Sequence, residues 1–135
     1  MYFKFLKQIS EVSCQQWNAV TGKDYPFLRY EFLIALEQSA CVLPEQGWQV
    51  HHLVIEQAQQ IIAIMPLYLK QHSYGEFVFD HVWADAYHRN GLEYYPKLVN
   101  AIPFTPCNGP RIAVKNVQLD QIAPIVADVL QQETA

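Results

Sequence analysis

The sequence predicts a mixed α/β domain: a central, largely antiparallel sheet with helices on both faces. Three observations predict it. Two apolar runs, Trp48 to Glu56 and Ile61 to Lys70, follow one another with only Gln57 to Gln60 between them, the arrangement of a hairpin. The second run is apolar on both faces, as suits an interior strand covered by helices on each side. Finally, Leu28, Phe32, Ala35, Leu36 and Ser39 share one face of a helical wheel, while Arg29, Glu37 and Gln38 fall elsewhere.

Taken in order, Tyr2 to Gln8 alternates as a first strand. Ser10 offers a capping oxygen to a short helix that runs through Trp17 and ends by Gly22. Asp24-Tyr25-Pro26 opens the amphipathic helix, with proline in the first turn where its missing N–H costs nothing. The hairpin strands follow. Pro66 lacks a ladder donor, so a bulge or bend is expected there. A third strand is expected over Glu76 to Asp80, helices over Val82 to Arg89 and Glu93 to Asn100, and a strand over Pro110 to Lys115. The last helix carries Ile122, Val126, Val129 and Leu130 on one side and is expected to start near Gln121 to Ala123, because Pro124 is disfavoured in its interior. A helix laid over a sheet normally leads to a further strand, so the end at Ala135 reads as cut.

At 135 residues the chain suits one domain. Hydrophobic residues make up 51% and charged residues 16%, against roughly 25% charged in an average soluble domain. With so little charge, either Gln and Tyr wet the outside or part of the surface is to be covered by a missing part or a second copy of the chain. A net charge of -4, with nine basic residues spread thinly, excludes a phosphate-neutralising stripe and argues against binding DNA. The longest apolar run, Ile61 to Leu69, is too short to span a bilayer, and no secretory signal opens the chain. Cys14, Cys41 and Cys107 are odd in number and widely spaced, which reads as reduced thiols in a cytoplasmic protein.

Polar and aromatic groups concentrate between His72 and Arg89. His81, Asp85 and His88 have helical spacing that suits either a metal or a solvated face, and the solvated face is preferred. Glu76, Asp80 and Asp85 are candidate proton acceptors for an amine, though for Asp80 the cap of the helix behind it is preferred and Glu76 suits a turn beside Gly75. His51 and His52 lie on a strand and point to opposite faces, so they do not chelate one ion. Cys107 reads as a quiet, partly buried thiol. Prolines at 96, 103, 106 and 110 make a shaped path lined by Tyr94, Tyr95 and Lys97, suited to a peptide or sugar groove or to a core-packing loop. The candidate groove residues are Tyr74, Glu76, Asp80, Trp83, Asp85, Tyr95, Lys97 and Thr105; no catalytic residue is assigned and no metal is expected.

Trp17, the blocks PFLRYEFLIALEQS (26–39), GWQ (47–49), MPLYLKQHSYGEFVFD (65–80), WADAY (83–87), YYPKL (94–98) and PFTPCNGPR (103–111) together resemble a bacterial family of peptidoglycan biosynthesis or recognition proteins. That family is placed in the GNAT-like acyl-CoA N-acyltransferase superfamily and is similar to the Fem aminoacyltransferases. The resemblance implies a GNAT-like partial domain over 1–135, the amino-terminal half of a two-half protein. It also implies transfer of an acyl or aminoacyl group onto a peptide-like or cell-wall precursor amine, with acyl-CoA or aminoacyl-tRNA as donor for the whole protein. The alternatives are a non-catalytic peptide or muropeptide recognition module and a dimerising interaction domain. A donor site of the GNAT type needs a glycine-bearing loop for the pyrophosphate, and Arg111 to Val117 has no glycine, so no cofactor is expected in this part of the chain.

Overall fold

The computed structural model describes residues 1–74, 76 and 80–135. Its strands are β1 (Tyr2–Leu6), β2 (Trp48–Val50), β3 (His52–Gln57), β4 (Gln60–Met65), β5 (Tyr68–Lys70), β6 (Lys97–Val99) and β7 (Ala113–Val114). Its helices are α1 (Cys14–Thr21), α2 (Tyr30–Gln38), α3 (His81–Arg89) and α4 (Leu119–Glu133). The fold is mixed α/β with wholly antiparallel pairing, as expected, but the single sheet divides into two. One has the order β1-β3-β4-β7 and the other β2-β5-β6.

The division lies at Pro66. The run read as one strand over 61–70 bends there into β4 and β5, and the run over 48–56 breaks opposite it, at His51, into β2 and β3. Proline gives the ladder no donor. His51 N donates to Leu67 O at 2.9 Å, while the Leu67 amide turns to the side chain of His52, whose Nδ1 accepts at 3.0 Å. A buried imidazole thus replaces a carbonyl at the seam between the sheets.

Helices cover both faces of the four-stranded sheet. Leu6, Val54, Ile64 and Ala113 pack with Trp17 and Val20 of α1 and Leu33 of α2. Leu53, Ile55, Ile62 and Ala63 pack with Ile122, Val126 and Val129 of α4. The hairpin turn between β3 and β4 places Ala58 and Gln59 at φ 53° and 63°, left-handed values whose twist matches the flanking strands even without Asn-Gly.

Several boundaries differ from expectation. The cap of α1 is Ser13 rather than Ser10: its hydroxyl accepts from Gln16 N at 3.1 Å and the Gln16 side chain returns a bond to the Ser13 amide. The amphipathic helix starts only at Tyr30, behind a separate 3-10 turn at Pro26–Leu28, because Arg29 between them is extended. The helix expected over 93–100 is extended chain leading into β6. Pro96 disfavours helical backbone at Tyr95, and pairing with β5 claims Lys97–Val99. The strand expected over 110–115 shortens to β7. α4 starts at Leu119 and holds Pro124 inside it; its buried apolar face offsets the one missing backbone bond. The strand expected over 76–80 lies, between Glu76 and Asp80, outside the described residues.

His52 is fully buried between the Trp17 and Tyr68 rings, with centroids at 5.4 and 5.1 Å. Burial pushes its pKa down to about 3, and the Leu67 amide, which needs an unprotonated Nδ1 to accept its proton, favours the same neutral form. The unfolded imidazole titrates near 6.5, so between those values only the unfolded chain takes up the proton, and stability falls as pH drops through that window. Urea midpoints at pH 7.5 and 5 should reveal a wild-type loss of about 2 kcal/mol from this group. His52→Asn keeps a near-equivalent acceptor for Leu67 and should remove that loss. An unchanged pH slope in the variant overturns this account.

Candidate functional site

The register between β5 and β6 sets Lys70 directly opposite Lys97, and the register between β2 and β5 sets Trp48 opposite Lys70. Directly paired side chains project from the same face of a sheet, so the three form one row. Lys70 Nζ sits 3.5 Å from the Trp48 ring centroid. Two like charges on paired positions repel, and the chain between β5 and α3 supplies the compensating carboxylates. Glu76 reaches both lysines, at 2.8 Å to Lys97 and 3.7 Å to Lys70. Asp80 Oδ2 accepts from Lys97 at 2.6 Å and from the Tyr94 hydroxyl at 2.6 Å.

The Lys97 ammonium has three donors, and they go to Ser73 Oγ, Glu76 Oε1 and Asp80 Oδ2. Ser73 shares a 2.6 Å bond with the Tyr95 hydroxyl, and Lys70 donates to the Tyr74 carbonyl at 2.6 Å. The side chains of Lys70 and Glu76 are 0% and 1% exposed and those of Lys97 and Asp80 16% and 7%, so two cations and two carboxylates neutralise each other largely shielded from water. Glu76 Oε2 and Asp80 Oδ1 have no hydrogen-bond partner among the described residues.

The titration behaviour follows from this packing. Burial opposes the Asp80 carboxylate, but Lys97 with the Ser73 and Tyr94 hydroxyls outweighs it and holds the group well below the ordinary carboxylate range. The bond to Asp80 pushes Tyr94 up to about 12. Burial pulls Lys70 down to about 8, against the attraction of Glu76. Burial also works against the Lys97 ammonium, yet its bonds to Asp80 and Glu76 raise its pKa overall. A carboxylate held as Asp80 is does not take up a proton near neutral pH.

Of the eight residues proposed from sequence, Glu76, Asp80, Tyr95 and Lys97 meet in this cluster. Tyr74 contributes its carbonyl, while its ring is exposed. Trp83 projects from α3 with 66% exposure. Asp85 pairs with Arg89 at 3.3 Å on the same helix surface, and the Thr105 hydroxyl bonds locally to Pro103 O. Asp80 occupies the N-cap position of α3, but its carboxylate makes no capping bond; the cap expected of it is absent because Lys97 and Tyr94 hold it. Sequence reasoning missed Lys70 and Ser73, and it placed Tyr94 on the proline-shaped path without counting it among the candidate groove residues. The available signal was a lysine closing the apolar run at 61–69, informative only once 97–99 is read as a paired strand.

Other candidates resolve locally. His51 stacks on Phe5 at 4.4 Å and bonds Glu133 at 2.7 Å, on the side of its strand opposite His52. Cys107 Sγ lies 3.1 Å from the Tyr25 hydroxyl. Among the described residues, no three His, Cys, Asp or Glu side chains are grouped to hold a metal ion. Also among them, no helix is long and apolar enough to cross a membrane.

α3 buries none of its residues. Val82, Trp83 and Tyr87 are exposed on it, and Tyr74 and Leu92 beside its ends. Exposed aromatics on this scale mark an interaction surface. A family model described as FemAB-like, peptidoglycan biosynthesis/recognition, matches residues 8–135. No curated protein and no solved structure matches the chain.

Replacing Lys97 with methionine leaves Asp80 and Glu76 buried beside a single remaining cation. Urea unfolding of Lys97→Met should show a loss of about 3–5 kcal/mol, whereas Asp85→Ala on the exposed helix surface should cost no more than about 0.5 kcal/mol. Equal effects of the two changes would contradict the buried-cluster account.

Proposed function

The chain belongs to the FemAB-like family of peptidoglycan biosynthesis and recognition proteins, and from that premise we propose that it forms the acceptor-binding part of an acyl or aminoacyl N-transferase acting on a peptide-like cell-wall precursor amine. The observation that carries this reading is the self-neutralised Lys70–Glu76–Lys97–Asp80 cluster beside the exposed rings of Tyr74, Trp83 and Tyr87. The cluster braces the segment that carries those rings and offers no unpaired base to a reacting amine. In this reading the aromatic surface takes the acceptor, because rings provide contact area at little entropic cost. Tyr95 and Lys97 fix the floor beneath it.

The donor belongs elsewhere in this scheme. Arg111 to Val117, which leads into α4, lacks the glycine that a pyrophosphate-cradling loop needs. Acyl-CoA or aminoacyl-tRNA would then be held by residues outside this chain, in a further half or a second copy. The same neutralised charges favour a second reading, a recognition module that binds a muropeptide and transfers nothing.

A soluble cell-wall stem pentapeptide titrated into the chain should perturb the Trp83 indole resonance. Trp83→Ala should weaken binding by about tenfold or more without changing the unfolding midpoint by more than about 0.5 kcal/mol. A pentapeptide that binds the variant as tightly as the wild type would remove the aromatic surface from the proposal. Product formation with acyl-CoA or aminoacyl-tRNA, in a protein that also contains the donor-binding part, separates transfer from recognition.

A further inference from the structure

β1 forms one edge of the four-stranded sheet and pairs only with β3. Which of its main-chain groups face outward follows from the alternation of an antiparallel ladder. His51 N is bonded to Leu67 O, and the same register runs on through Leu53 opposite Met65 and Ile55 opposite Ala63. His51, Leu53 and Ile55 therefore turn their main-chain groups toward β4 and β5, whereas His52 and Val54 turn theirs toward β1. Val54 pairs with Lys4 and His52 with Leu6. The N–H and C=O groups of Lys4 and Leu6 thus point into the sheet, and those of Phe3 and Phe5 point away from it. Among the described residues, no main-chain bond outside the ladder reaches Phe3 or Phe5. The devices that usually blunt such an edge are missing from β1: it has no proline and no bulge, and its one charge, Lys4, is engaged by Glu56 at 3.2 Å.

The edge is open on both faces of the sheet. Leu6 packs on the α1 side and Phe5 on the α4 side, so Tyr2 belongs to the first face and Phe3 to the second. Both are exposed, at 61% and 43%. Unpaired ladder groups call for another strand, and the chain's own β1 is complementary to itself. Outward groups must meet outward groups, which leaves two symmetric antiparallel registers that overlap most of the strand. A register centred on Lys4 sets two ammoniums opposite each other in the non-hydrogen-bonded position, where side chains are closest. A register centred on Phe3 sets Phe3 against Phe3 and Phe5 against Met1. It also sets the Tyr2 ring against Lys4 of the second copy, a cation beside an aromatic face. The opposite edge of the sheet, β7, is only two residues long, so head-to-tail pairing has little to hold it and the self-paired edge closes as a two-fold dimer.

We propose that β1 pairs antiparallel with β1 of a second copy of this chain, in the register centred on Phe3, and joins the two four-stranded sheets into one. The strand is short, so the interface lies at the low end of the protein–protein range, below about 1,200 Å², and the dimer exchanges readily with monomer. The edge is separate from the Lys70–Lys97 cluster, and the pairing does not depend on the function proposed above.

Sedimentation velocity on the whole chain, from about 10 μM to about 1 mM, should show a monomer–dimer equilibrium. Amide exchange of Phe3 and Phe5, followed by NMR, should slow as concentration rises, whereas that of Lys4, already bonded to β3, should not respond. Phe3→Pro removes only an outward N–H, a change an edge strand tolerates, and should weaken the dimer about tenfold or more through the two bonds lost across the two-fold axis. Tyr2→Lys faces Glu56 within its own sheet but Lys4 of the second copy across the edge, so the variant should fold and dimerise about tenfold or more weakly. A monomer at every concentration overturns the proposal. So does a dimer whose Phe3 exchange ignores concentration, or one that Tyr2→Lys leaves at wild-type strength. A monomer whose Phe3 amide is slowed only by an added extended peptide assigns the edge to a different strand and overturns the second copy. Should Phe3→Pro fail to fold, Tyr2→Lys and the exchange data still decide.

Discussion

A proline inside an interior strand organises this molecule. Pro66 has no amide to give a neighbouring strand, and the ladder that would have continued from β4 into β5 cannot close around it. The chain turns and begins a second sheet, and its hairpin partner must turn with it at His51. The one amide left unserved at the seam, that of Leu67, is taken by His52 Nδ1. Because that imidazole must accept, it stays neutral with its proton on the other nitrogen, and Trp17 and Tyr68 close around it. Without that bond a buried donor would be orphaned in the core, at a cost of roughly 1–3 kcal/mol. The small second sheet exists because this seam holds, and the charged cluster is built on that sheet.

The cluster shows how sheet register decides electrostatics. Pairing Lys70 with Lys97 places two ammoniums on one face, where repulsion alone would open the strands. Glu76 and Asp80 neutralise the repulsive pair, and the hydroxyls of Ser73 and Tyr94 join it, with Tyr95 bonded to Ser73. Such buried sets seldom add much net stability relative to apolar packing, but removing one member leaves an uncompensated charge. What the set does determine is position: it brings Tyr74 and the start of α3 to the second sheet. α3 has no buried residue of its own, so the ion pairs at its amino-terminal end take over the anchoring role that an apolar face usually has.

The sequence carried the large features well. The hairpin, the doubly apolar strand and the amphipathic segment before Ser39 are local patterns, and each appears where its pattern lies. The division of the sheet was half legible: Pro66 announced a bend, but nothing near His51 marks the matching break, because its cause sits across the ladder in another strand. Lys97–Val99 was misread because Tyr94, Tyr95, Leu98 and Val99 satisfy a helical period as readily as a strand. That error hid Lys70, since a lysine closing an apolar run reads as a solvated strand end until its cross-strand neighbour is known. Glu76 and Asp80 were visible as carboxylates near aromatics, whereas their pairing with two lysines is tertiary and leaves no local trace. Trp83 and Asp85 shared the same dense stretch but point outward on α3, a distinction that depends on which helix face meets the sheet.

Trp48 links the seam to the charged cluster. Its ring carries the Lys70 ammonium at 3.5 Å and meets Tyr68 edge-on at 5.2 Å. The side chain is 1% exposed, so its rotamer is set by packing rather than by solvent. Tyr68 in turn packs against His52 at the seam. Packed rings therefore run without a gap from the seam to the seat of Lys70. Contiguous packing of this kind ties the position of the charged cluster to the backbone constraint at one proline.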